Sequence, residues 1–341
     1  MGDAIMAVPV SSTWVSALFA NGSVPRTTKT DPKTGLATEM ICTASSGGGF
    51  TVAYDSSLIL HDGCQNHTLT LVLKINLNPI LPDILPTWLR LPFFDADTPP
   101  KMFLIRPWGK PEWTNFTTGF KRECAKWNDR FWLIPPASFS ALDVKQGSRS
   151  VRPNIYCHLY VSIVGSAAGA HRSINVVNLD LQDAKTRLGV TDANMNSGAF
   201  RSDADQYDAL DVKTRSQWSQ DNTGAWHEAK KYSTVVHEVG HALGLPHIGV
   251  SHNDNLCQIA VFLDEHVPNP SALPGLFNGG SNGQACYGTF GVPDRGANVM
   301  GGGTNFDETN AAPWASRLAL HTGTKPEDWA VSRTKVQPKL L

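Results

Sequence analysis

Three histidines and one glutamate lie close together between residues 237 and 247, which read H-E-V-G-H-A-L-G-L-P-H. On a helix, His237 and His241 are four positions and about 40° apart, so both rings project from one face. Two imidazoles on one face can bind a single metal ion, and zinc prefers such nitrogens at about 2.0–2.1 Å. Glu238 lies about 100° around the helix. There its carboxylate can act as a general base on a metal-bound water.

The residues that follow predict how a third ligand reaches the metal. Gly244 can adopt the left-handed conformation without steric cost, and Pro246 cannot continue the helical hydrogen bonds. Together they would turn the chain back and bring His247 to the metal. Three protein ligands leave one coordination position open, which is typical of catalytic zinc. Glu265 is the alternative third ligand, but the glycine turn favours His247.

The pattern H-E-x-x-H-x-x-G-x-x-H resembles the long motif of the metzincin clan of zinc endopeptidases. That clan also has a tight turn containing methionine, and Asn298-Val299-Met300-Gly301 fits it. The resemblance implies that Met300 forms an apolar floor under the metal. It further implies an α+β fold with a twisted mixed β-sheet, an active-site helix and a C-terminal helix. Because Gly302 stands where some members have a tyrosine, the site is closest to the matrixin-like pattern, and the subfamily stays unassigned.

These residues predict a zinc-dependent endopeptidase that hydrolyses peptide bonds in protein substrates, with Glu238 as the general base and one catalytic zinc ion as cofactor. The alternative is a catalytically inactive, zinc-stabilised binding module in which His252 or His266 completes the metal site. Glu238 argues against that alternative, because a structural zinc site needs no general base.

Calcium is a second metal to consider. Asp203, Asp205 and Asp208 carry the carboxylates that calcium binds, but the segment lacks the glycine and the terminal glutamate of an EF-hand. The pattern therefore favours a solvated acidic loop.

Composition narrows the range of partners. The 341 residues include 29 Lys+Arg and 30 Asp+Glu, and this balance gives no reason to expect nucleic acid. No apolar run reaches the roughly 18 residues of a membrane span. We expect a monomer that acts on proteins or peptides and is secreted or exported, although no signal peptide is visible.

Six cysteines occur without a C-x-x-C pair. Cys42 with Cys64, and Cys257 with Cys286, each bracket a short loop-rich segment and are the favoured disulfides. Six buried thiols are the alternative.

The order of elements predicts two regions. Residues 1–62 form a β-rich N-terminal region of unknown role, and residues 63–341 form the zinc metallopeptidase catalytic domain. Hydrophobic periodicity predicts strands and helices in the second region. The strands are expected at 68–75, 155–164 and 173–179, and the helices at 112–127, 226–243 and 313–321.

Overall fold

A computed structural model describes residues 26–33, 37–43, 54–81, 87–90, 102–188, 206–220, 226–245, 297–301 and 303–341. Its first strands are β1 Arg26–Thr30, β2 Ala37–Cys42, β3 Asp55–Ile59, β4 His67–Pro79, β5 Thr87–Arg90, β6 Met102–Ile105, β7 Trp132–Ile134 and β8 Val144–Gln146. The others are β9 Arg149–Arg152, β10 Ile155–Val164, β11 Arg172–Val177, β12 Gln206–Asp208, β13 Arg215–Gln220, β14 Trp226–Tyr232, β15 Ala330–Ser332 and β16 Lys339–Leu340. The helices are α1 Lys110–Cys124, α2 Leu181–Leu188, α3 Thr234–Ala242 and α4 Ala312–Thr322.

The protein has a mixed α+β architecture, and β4 is the strand that organises its main sheet. β10 runs parallel to β4 along one edge. The other edge is shared, first by antiparallel β3 and then by parallel β11. β1 and β2 extend the sheet beyond β3, β7 and β15 extend it beyond β10, and β12 pairs with β11. Because β3 and β4 lie in one sheet, strands from both sides of the predicted boundary at residue 62 are hydrogen-bonded to each other.

The core lies on one face of this sheet. Alternate residues of β4 from His67 to Leu77 are buried, as expected for a strand with one face against the core. Helices α1, α3 and α4 contribute buried apolar side chains to the same hydrophobic cluster. The tryptophans Trp127 and Trp314 lie within it, and their indole N–H groups donate to backbone carbonyls of Val236 and His158.

Most of the predicted elements are confirmed. β4, β10 and β11 match the three expected strands, and α1 followed by a 3₁₀ turn at Ala125–Trp127 matches the helix expected at 112–127. α4 matches the last helix and ends at Gly323, whose φ of 72° is left-handed, as the helix C-terminus requires.

The helix expected at 226–243 is wrong in its first half. Residues 226–232 form β14, which pairs with β13 as an antiparallel hairpin. Only Thr234–Ala242 is helical, and Ser233 between the two elements is extended. Pairing with a separate strand decides the conformation of this segment, and local periodicity does not report such pairing.

The expected disulfide between Cys42 and Cys64 is wrong. Cys42 is buried against the His321 ring, whereas Cys64 is a free thiol that contacts Gln146 at the surface. The second favoured disulfide, Cys257 with Cys286, lies outside the described residues.

The acidic segment is only partly visible, because Asp203 and Asp205 are also outside these ranges. Asp208 is buried rather than solvated, and its backbone N–H donates to Asp211 Oδ2 at 2.7 Å. Within the described part of the chain, no helix combines the length and apolar character needed to cross a membrane.

Candidate metal centre

Helix α3 places two of the predicted ligands side by side. Its valines, Val235, Val236 and Val239, are buried in the core and fix the orientation of the helix. His237 and His241 are half-buried on an adjoining face. Their Nε2 atoms are 3.1 Å apart, and their rings are nearly perpendicular at 86°. Two nitrogens bound to one tetrahedral zinc ion lie about 3.3 Å apart, so this spacing fits a shared metal ion.

The other ring nitrogens define the protonation state of the pair. His237 Nδ1 is 2.6 Å from the carbonyl oxygen of Val299, and His241 Nδ1 is 2.7 Å from that of Leu245. A carbonyl oxygen can only accept, so both Nδ1 atoms carry hydrogen and donate. Burial lowers the pKa of His241 to about 4, and its ring is therefore neutral near pH 7. Its Nε2 lone pair then points at the other ring.

Gly244 performs a second task besides turning the chain. Its φ is +89°, and the N–H groups of Leu245 and Gly244 donate to the carbonyls of Gly240 and His241. This pair of hydrogen bonds is a Schellman motif, which needs a left-handed residue at the position of Gly244. The motif turns the Leu245 carbonyl toward His241 Nδ1. The predicted sharp turn is therefore confirmed, and it also orients a candidate ligand.

Met300 lies beneath the same helix. It is buried in a 3₁₀ turn at Val299–Gly301, and a Cβ at Gly240 would overlap its sulfur atom. Asn298 holds this turn, because its Oδ1 accepts from the N–H of Met300 at 2.8 Å and its Nδ2 donates to Asn310. The turn therefore supplies both an apolar contact to α3 and the carbonyl that orients His237. The sequence prediction gave Met300 a role under the metal but gave none to Asn298, which it placed in the same turn.

Glu238 is buried, and its charge acts on a buried tyrosine. Tyr207 of β12 is fully buried, and burial followed by the charge of Glu238 raises its pKa well above the usual value. The charge of Arg172 acts in the opposite direction on Tyr207 and also lowers the pKa of His241. Arg172 was not among the predicted site residues. Its signal in the sequence is an arginine that alternates with Ile174 and Val176, which places it on an apolar strand face.

A buried carboxylate connects α1 to the start of α3. Glu123 Oε2 accepts from the Ser233 hydroxyl at 2.6 Å and from Lys126 Nζ at 2.5 Å. Ser233 precedes α3 and does not cap the helix with its side chain. The contact instead links the end of α1 to the residue just before α3.

Several predicted groups cannot be placed. His247, His252, Glu265, His266 and Gly302 lie outside the described residues. Among the residues that are described, no group of three or more His, Cys, Asp or Glu side chains could hold a metal ion. His237 and His241 are thus brought together as a pair, and the part of the chain that the structure describes adds no third protein ligand.

Comparisons with known proteins place the chain in no family. No family matches it, no curated protein is similar to it, and no solved structure is similar to it. Together with the lack of a three-ligand group in the described ranges, this contradicts the expected membership of the metzincin clan. Residues 237–247 match the letters of the metzincin motif, but neither the rest of the chain nor the described ligands support membership of that clan. The assignment to the metzincins is therefore wrong.

Proposed function

We propose that the protein is a zinc-dependent hydrolase that cleaves peptide bonds within proteins. The observation that supports this most directly is the convergence of two Nε2 atoms at 3.1 Å, with both Nδ1 atoms engaged by backbone carbonyls. Both Nε2 atoms then face the same point, where a cation bound by both rings would lie. Glu238, which follows His237 in the helix and is buried, is the candidate base.

Each residue has a distinct role in this proposal. His237 and His241 would hold zinc through Nε2, and His247 remains the predicted third ligand. A bound zinc ion supplies a polarised carbonyl and a water of lowered pKa. Glu238 would take the proton from the attacking water and return it to the leaving amine. The Val299 and Leu245 carbonyls keep both imidazoles in the tautomer that can bind a cation.

The test measures zinc content and hydrolysis together on the full chain. Glu238→Gln should lower kcat on a denatured protein substrate by about 10²–10⁴-fold, the usual contribution of a general base. Its zinc content, measured after equilibrium dialysis, should match that of the wild type. Glu327→Gln, which changes a partly exposed carboxylate on another part of the chain, is the matched control and should leave both quantities unchanged.

Two results would contradict the proposal. One is equal hydrolysis by the wild type and the Glu238→Gln variant. The other is a wild-type protein that takes up one equivalent of zinc and hydrolyses no protein or peptide. The second result would favour the alternative of a zinc-stabilised binding module, in which the histidine pair has only a structural task.

A further inference from the structure

One peptide unit carries both the carbonyl that contacts His237 and an N–H group that a side chain holds. The Val299 carbonyl oxygen lies 2.6 Å from His237 Nδ1. The N–H group of the same peptide belongs to Met300 and donates to Asn298 Oδ1 at 2.8 Å. In a planar trans peptide the C=O and N–H groups point in opposite directions. By holding the N–H group on one side, the Asn298 side chain therefore directs the carbonyl at His237 on the other side.

A second buried asparagine fixes the side chain of Asn298. Asn298 Nδ2 donates to Asn310 Oδ1 at 3.0 Å, and Asn310 Nδ2 donates back to Asn298 Oδ1 at 3.3 Å. Both residues are buried. Asn310 Oδ1 also accepts from the backbone N–H of Asp307 at 2.9 Å. Because a backbone N–H can bond only to an acceptor, the N–H groups of Met300 and Asp307 determine which amide atom is oxygen in each side chain.

This amide pair joins the turn beneath α3 to the start of α4. Asn310 lies in the 3₁₀ turn Glu308–Ala311, which leads directly into α4. Removal of its side chain would leave buried polar atoms of Asn298 without their partner, and such atoms are costly in the interior. The Asn298 oxygen that loses a donor is the same atom that holds the N–H group of Met300. A change at Asn310 is therefore transmitted to the peptide that faces His237.

We propose that Asn310 is a positioning residue for the candidate metal centre and acts through Asn298 on the carbonyl that orients His237. This inference rests on the metal binding in the proposed function. It adds a residue that contacts neither the metal nor the substrate. Its effect is on metal affinity, because a histidine held in one tautomer and one ring orientation is ready to bind a cation.

The first measurement is the zinc affinity of the full chain, determined by competition with a chelator. Asn310→Ala should weaken zinc binding about 10–100-fold, the usual cost of losing a group that orients a metal-bound histidine. Asn310→Asp should retain most of the affinity. Its carboxyl oxygen can still accept from Asn298 Nδ2 and from the backbone N–H of Asp307.

The matched control removes a buried asparagine from another part of the chain. The side-chain amide of Asn154 donates to Asn66 Oδ1 and to the Gln337 carbonyl, and the residue is buried. Asn154→Ala also leaves buried groups without partners, but it should not change the zinc affinity. Thermal unfolding of each variant shows that it is folded.

The second measurement is hydrogen exchange at the Met300 amide, which reports its bond to Asn298 independently of hydrolysis. Asn310→Ala should lose protection at this amide, while the amides of β4 keep theirs. In the wild type, zinc should slow the exchange of Met300, because a ligand that binds the ordered turn also stabilises it. This wild-type result tests the inference even if the alanine variant does not fold.

The outcomes separate this inference from the proposed function. Equal zinc affinity in the wild type and Asn310→Ala, a similar loss in Asn154→Ala, or exchange of Met300 that zinc does not slow would each overturn the role of Asn310. If the wild type hydrolyses proteins in the first of these cases, the hydrolase proposal stands alone. If zinc affinity depends on Asn310 but no protein or peptide is cleaved, the positioning role stands and the hydrolase proposal fails.

Discussion

His67 and the His237–His241 pair satisfy their hydrogen bonding differently. His67 lies in the core of the main sheet, where its Nδ1 accepts from the backbone N–H of His61 at 3.0 Å and its Nε2 donates to the Leu142 carbonyl at 3.1 Å. One ring nitrogen is an acceptor and the other a donor, so a neutral imidazole is satisfied by backbone alone. In the pair on α3, both Nδ1 atoms are donors and both Nε2 atoms face one another.

The difference distinguishes a histidine that supports the fold from one that is arranged for a ligand. His67 needs nothing beyond the protein, and a charge on its ring would break its acceptor bond. The backbone around His237 and His241 instead fixes both tautomers so that two lone pairs converge. Sequence position separates these cases poorly, because both kinds of histidine occur in regular elements. The pattern of backbone partners separates them well.

The largest expected effect comes from removing one histidine of each kind. His241→Ala should abolish zinc uptake in equilibrium dialysis and the thermal stabilisation that zinc gives to the wild type. At 100 times the dissociation constant, that stabilisation is about 2.7 kcal/mol. His67→Ala should lower the free energy of unfolding through lost hydrogen bonds and packing, with zinc affinity unchanged in the folded protein. Loss of zinc binding in His67→Ala, with retention in His241→Ala, would reverse the distinction.

A smaller effect is expected from a residue that acts on the His237–His241 pair only through a backbone carbonyl. Asn298→Ala removes the side chain that fixes the turn presenting the Val299 carbonyl to His237. Loss of a group that orients a ligand costs about 10–100-fold in metal affinity, measured by competition with a chelator. Asn175→Ala, at an exposed cross-strand contact with Asn78, serves as control. Unchanged zinc affinity in Asn298→Ala would show that the carbonyl does not orient the ligand.

The smallest effect is a pH dependence of stability that belongs to His67. Burial, the largest cause, lowers its pKa below the usual 6.5. Below pH 6.5 the unfolded chain binds a proton that the folded protein does not, so the free energy of unfolding falls as the pH decreases toward the folded pKa. One such group contributes a slope of at most about 1.4 kcal/mol per pH unit. Urea unfolding at several pH values should show a smaller slope in His67→Gln. His158 and His171 act in the same direction and remain in both proteins.

Local patterns predicted much of the fold for a physical reason. The alternation in β4 and the apolar spacing of α1 reflect burial of one face of each element. The buried positions can be recognised in the sequence because they carry apolar residues. The helix predicted at residues 226–232 was wrong because the conformation of this segment depends on pairing with β13. The sequence of the segment itself does not reveal that pairing. The prediction of a Cys42–Cys64 disulfide was wrong because the length of a loop does not tell where the two side chains lie in space.

The candidate site was predictable only in part. The spacing of His237 and His241 and the glycine after the helix gave the pair and the turn correctly, because both follow from helix geometry. The rest of the site could not be predicted, because it consists of backbone groups and of side chains distant in sequence that no motif encodes. These are the carbonyls of Val299 and Leu245 and the side chains of Asn298 and Glu123. Family membership could not be inferred from eleven letters, since a helix with two histidines and a glycine stop can arise outside any one family.

The divided edge of β4 has a consequence for the N-terminal strands. β3 is hydrogen-bonded to residues 68–72 of β4, and β11 takes the same edge from Ile75 onward. Proteolytic release of β1 to β3 would leave five residues of β4 unpaired on that edge, although β10 still pairs with them on the other, and would take away Leu58, which is fully buried. An exposed edge of that kind recruits strands from other chains. β1 to β3 therefore cover this part of the edge, and we expect a shortened chain that lacks them to self-associate.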